Sequence, residues 1–99
     1  MLALEPGETI ALENGIVLHS LSGQNWYHAF NIITGDQFRI NKTSFWVLET
    51  ISNGIEWNRL KEGFLAAFEI SDEEGEADLR ELLNDLYNQN IVRRHNDEE

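Results

Sequence analysis

The chain contains no cysteine, which excludes a disulfide framework, a thiolate zinc site and a Cys-ligated iron-sulfur cluster, and fits a reducing cytoplasm. Its single proline, Pro6, stands beside Gly7 where periodicity is weak, so Met1 to about Thr9 reads as a loose leader-in. Long apolar runs are missing as well. The opening MLALEPGETI has no basic start, and no later window approaches the roughly 20 apolar residues of a membrane span, so a soluble cytoplasmic protein is expected. Cations are scarce: seven Lys and Arg stand against 18 Asp and Glu, for a net charge of −11. A surface that negative repels phosphate backbones and anionic lipid heads, so neither nucleic acid nor membrane is expected as a partner.

Catalytic and cofactor signals are thin too. His19, His28 and His95 share no ligand spacing with each other or with a nearby carboxylate, so no metal is expected. Ser22, Ser52 and Ser71 stand in turn or cap contexts and Ser44 at a helix start, without a cue for a His and acid partner. Gly15, Gly23, Gly35 and Gly54 are each isolated in a turn, which argues against a phosphate loop. Together these predict a protein without cofactor that is not an enzyme.

What is present is a densely written stretch from Thr34 to Gly54, TGDQFRINKTSFWVLETISNG. Gly35-Asp36 is a hairpin turn signal, and Gln37, Phe38, Arg39 and Ile40 alternate polar and apolar as a half-buried strand does. Asn41 then caps a helix through the amides of Thr43 or Ser44. Phe45, Leu48 and Ile51, with Val47 alongside, recur at helical spacing until Asn53-Gly54 offers a left-handed stop. Upstream, Ile10-Ala11-Leu12 reads as a short strand broken by the turn signal Glu13-Asn14-Gly15. Ile16 to Leu21 and Trp26 to Ile33, separated by the turn cluster Ser22 to Asn25, read as two further strands. With Gln37 to Ile40 they predict a three-stranded antiparallel meander whose outer strand must be covered, charged or available. Trp26, Trp46 and Trp57 are expected in the core.

Downstream, a second helix from about Glu56 to Phe68 carries the stripe Trp57, Leu60, Phe64 and Leu65. Glu56 is a poor cap for it, and Gly63 costs about 1 kcal/mol relative to Ala. The third helix is better specified. Ser71 and Glu74 make a capping box, Asp72, Glu73 and Glu74 suit the positive end of the helix dipole, and Leu79, Leu82, Leu83, Leu86 and Tyr87 form one stripe. Asp78 and Asp85 flank that stripe on one edge and Arg80 on the other. Asn90 suits a left-handed terminal position, Ile91-Val92 an extended tail, and Arg93 to Glu99 a frayed end. One α+β domain of 99 residues results, winged-helix-like, with a three-stranded antiparallel sheet followed by three helices and a core over about 10–92.

From Asn14 to Val92 this order of elements resembles the PqqD-like proteins, or RiPP recognition elements. The points of likeness are the turn glycine, a short strand ending in an aliphatic plus Asn, and a helix carrying Trp46 five residues after Asn41 and closing at Asn53-Gly54. The chain departs from the family at Glu56, where Ser or Thr is usual, and at Asn90, where Gly is. The resemblance implies a non-catalytic peptide chaperone that binds the leader segment of a ribosomally made precursor peptide as an added strand. It would then present that precursor to a modifying enzyme, such as a radical SAM protein or a leader peptidase. By matching positions it implies a pairing edge at Gln37, Phe38, Arg39 and Ile40, and a wall at Asp78, Leu79, Leu82, Asp85 and Leu86.

The physical recipe agrees, because a helix beside an open strand edge leaves unpaired backbone groups next to apolar side chains. Phe38 and Ile40 are expected to point into the core, leaving their backbones for pairing. A DNA-binding winged helix would need a basic face that is missing here. The alternative of another class is an acidic inhibitor or nucleic-acid mimic. Ten of the 18 acids fall from Asp72 onward, where they serve as a solvated face or as an attraction for a basic partner.

Overall fold

Period-two alternation early in the chain becomes strands, and helical spacing later becomes helices, in a computed structural model that describes residues 4–5, 7–20 and 26–94. Four strands come first: β1 (Thr9–Leu12), β2 (Ile16–Ser20), β3 (Tyr27–Asn31) and β4 (Gln37–Ile40). Then follow α1 (Lys42–Thr50), β5 (Ile55–Glu56), α2 (Trp57–Phe68), α3 (Asp72–Asn88) and β6 (Val92–Arg94). The fold is α+β. Strands β2, β3 and β4 form the antiparallel meander, in that order. The turn cluster Ser22 to Asn25 lies outside the described residues.

The helix signals act locally as their chemistry requires. Asn41 Oδ1 accepts from the Ser44 N–H at 2.7 Å, so Ser44 rather than Thr43 is the capped amide. Ser71 Oγ accepts from the Glu74 N–H at 3.4 Å, and three acids fill the first turn of α3. Gly54 follows α1 with φ +89°, and Asn90 follows α3 with φ +63°. Helix α2 has no side-chain cap from Glu56; its first amide, on Trp57, instead donates to the Glu8 carbonyl at 2.8 Å.

A second sheet, ordered β5-β1-β6 and antiparallel throughout, was not legible beforehand. Ile10 lies opposite Ile55 on one side and Arg94 on the other, and Leu12 lies opposite Val92. This sheet corrects three expectations. Arg93 and Arg94 are not frayed but paired in β6, with Arg93 Nε donating to the Leu12 carbonyl and Arg94 lying 3.8 Å from Glu8. The leader-in is not loose over its described part: Leu4 is buried and its carbonyl accepts from Arg80 at 3.0 Å. The Asn14-Gly15 turn does not close a hairpin; it carries the chain from one sheet to the other.

Gly15 is required at that crossing. Its φ is +88°, and a Cβ would lie 2.8 Å from Asn31 Oδ1, which accepts from the amides of Ile33 and Thr34. The core lies where the β5-β1-β6 sheet, the inner face of the meander and the three helices meet. Ile10, Leu48, Leu60, Leu83 and Ile91 are wholly buried there. Helices α2 and α3 approach closely at Gly75, where a Cβ would overlap the Leu65 side chain. Among the described residues no helix is long and apolar enough to cross a membrane.

Candidate functional site

Strand β4 pairs with β3 alone, so its other edge is open among the described residues. The Asn31 amide donates to the Asp36 carbonyl at 2.9 Å, which makes 31–36 a hydrogen-bonded pair. Bonded and non-bonded pairs alternate along an antiparallel ladder. Phe38 and Ile40, opposite Ala29 and Tyr27, therefore bond to β3, while the peptide groups of Gln37 and Arg39 point outward. Two donors and two acceptors face the open edge.

Beside that edge runs a cleft of about 430 Å³. Arg39, Ile40, Asn41 and Ser44 bound it on the strand side, where β4 passes into the capped start of α1. On the other side α3 supplies Asp78, Glu81, Leu82, Asp85, Leu86 and Gln89. The leucines form the floor, with Leu86 nearly buried and Leu82 half-buried, and the three acids stand exposed along the rim. None of these acids has an ion-pair partner among the described residues.

The opposite flank of α3 is electrostatically closed. Glu76 Oε1 accepts from Lys61 Nζ at 2.9 Å, Glu76 Oε2 accepts from Arg80 Nε at 3.1 Å, and the Arg80 guanidinium covers the Trp57 ring at 4.6 Å. The Lys61 hydrogen bond, followed by that from Arg80, holds the Glu76 carboxyl below the usual carboxylate range. The same bond to Glu76 raises Lys61 above the usual lysine value. The flank facing the strand carries Asp78, Glu81 and Asp85, which have no ion pair among the described residues.

Of the residues assigned from sequence, Arg39, Ile40, Asp78, Leu82, Asp85 and Leu86 are brought together around the cleft. Leu79 is not; its side chain is wholly buried, one turn before Leu82 and rotated into the core. Gln37 and Phe38 lie on the same strand outside the lining: Phe38 packs half-buried against the core, and Gln37 offers its outward peptide group. Sequence reasoning left out Asn41, Ser44, Glu81 and Gln89. Glu81 had a signal, since positions 78, 81 and 85 fall on one helix stripe.

No helix or strand among the described residues covers the outer face of the meander. Ala29 and Asn31 point inward and are buried, so Phe30 and His28 point out, and the register sets His19 directly opposite His28. Trp26, expected in the core, is 41% exposed on this side, and the Arg39 guanidinium stacks over it at 4.1 Å. Its position at the strand entry gives it only the sheet face to cover. Among the described residues no group of three or more His, Cys, Asp or Glu could hold a metal ion. The chain matches no family model, no curated protein and no solved structure.

Proposed function

We propose that this chain is a non-catalytic peptide-binding domain that takes an extended segment as an added strand on β4, as its resemblance to the PqqD-like proteins implies. The segment would be the leader of a ribosomally made precursor, and the domain would raise its effective concentration at a separate modifying enzyme. One observation supports this reading above the others: the outward peptide groups of Gln37 and Arg39 stand on an open edge beside a cleft with a leucine floor. Backbone pairing of this kind supplies affinity with little dependence on ligand sequence, and side-chain pockets supply the choice.

The test is to pan a displayed library of random short peptides on the protein and titrate selected peptides into isotope-labelled protein. The Gln37 and Arg39 amides are expected to shift and to become protected from exchange. Arg39→Pro removes an outward donor and leaves the β3 ladder intact, so it should weaken binding about tenfold or more with helical content unchanged. Selected peptides that bind Arg39→Pro as tightly as the parent would overturn the edge assignment. Cationic peptides whose binding falls steeply with salt yet ignores that substitution would favour the acidic mimic instead.

A further inference from the structure

Resting on that reading, we infer that the cleft selects a segment with Lys or Arg at alternate positions, in the phase that faces α3. An added strand shares the pleat of its neighbour, so segment residues opposite Phe38 and Ile40 point the way those side chains do, into the cleft. Residues of the other phase lie on the outer face, beside Arg39 and Trp26. The two phases meet different chemistry.

The inward phase meets a floor of Leu82 and Leu86 under a rim of Asp78, Glu81 and Asp85. A short apolar side chain would cover the floor and leave the carboxylates in water. An aliphatic stem with a cationic head covers the leucines and reaches the rim, which is how Lys and Arg behave over apolar surface. Spacing agrees: Glu81 and Asp85 are separated by a rise of about 6 Å along the helix, and alternate residues of a strand by about 6.6 Å. Asp78, about 4.5 Å before Glu81 by the same rise, falls short of that repeat and adds negative charge to the end of the rim rather than a third site in register.

Solubility alone does not explain these acids. On the other flank of the same helix Glu76 is bonded to Lys61 and Arg80, while the three on the cleft side have no ion-pair partner among the described residues. In the outward phase the only charge supplied by β4 is the Arg39 guanidinium, so a cation there is repelled and an acid or an aromatic ring is favoured. The preference is therefore one of phase as well as of charge.

The same panning experiment tests it. Among peptides whose binding Arg39→Pro removes, Lys and Arg are expected to recur with a two-residue period. Moving those cations to the other phase at constant composition should weaken binding, and so should the combined Asp78→Asn, Glu81→Gln and Asp85→Asn variant, each by about three- to tenfold. Peptides that need the β4 edge but show no alternating cations, or that bind the neutralised variant unchanged, would overturn this inference and leave strand addition standing. If no selected peptide is sensitive to Arg39→Pro, strand addition fails, and the phase preference fails with it.

Discussion

The two sheets of this molecule have the same number of strands and opposite surroundings. In β5-β1-β6 the central strand is flanked on both sides, and its Ile10 is wholly buried. In β2-β3-β4 one face packs inward, the other presents Val17, Trp26 and Phe30, and the β4 edge borders a cleft. The first sheet joins segments far apart in sequence, and the second carries the strand edge that borders the cleft. If the proposed reading holds, ligand pairing falls to the second sheet alone.

That contrast has measurable consequences. Ile10→Ala removes a wholly buried side chain at the centre of the closed sheet and should cost about 2–5 kcal/mol in urea denaturation. Val17→Ala, on a residue 45% exposed on the open sheet, should stay within about 0.5 kcal/mol. Equal losses would break the distinction. Gly15→Ala falls between them: it strains a positive φ and presses on the Asn31 side chain where the two sheets join, for roughly 1–3 kcal/mol. If the junction couples the sheets, amide protection should fall in both.

A smaller effect concerns pH on the closed side. The folded state lowers the Glu76 pKa, so the stability from its bonds to Lys61 and Arg80 is present above the usual carboxylate range and lost as pH falls through the lowered value. The raised Lys61 acts at the other end, contributing fully below its ordinary value and fading as pH rises through the raised one. Glu76→Gln should flatten the acid limb of a urea-midpoint profile and reduce its salt dependence. An unchanged acid limb would assign that limb to other carboxylates.

The meander and the three helices were legible because each rests on local periodicity and on caps that act within a few residues, as Asn41, Ser71 and Asn90 do. The closed sheet was not, because β5 has two residues and β6 three, too short for alternation to register. Their pairing is decided by burial beside β1, far away in sequence. At the cleft, charge and helical stripe located Asp78, Leu82, Asp85 and Leu86, but the rotation that sinks Leu79 and lifts Glu81 depends on how α3 seats against α2 at Gly75. Trp26 was misplaced because composition favours burial of tryptophan, whereas here a guanidinium covers one ring face and the sheet leaves the rest open.

The position of β1 also sets a timetable. It is the first of these strands to leave the ribosome, yet its partners are Ile55, Glu56 and the Val92–Arg94 segment. Throughout synthesis of the intervening chain, Ile10 has no neighbour to cover it and both edges of β1 are unsatisfied. The meander, with its short connections, can assemble in the meantime. The nascent protein can thus complete the β2-β3-β4 sheet while β1, already made, waits first for β5 and then for β6.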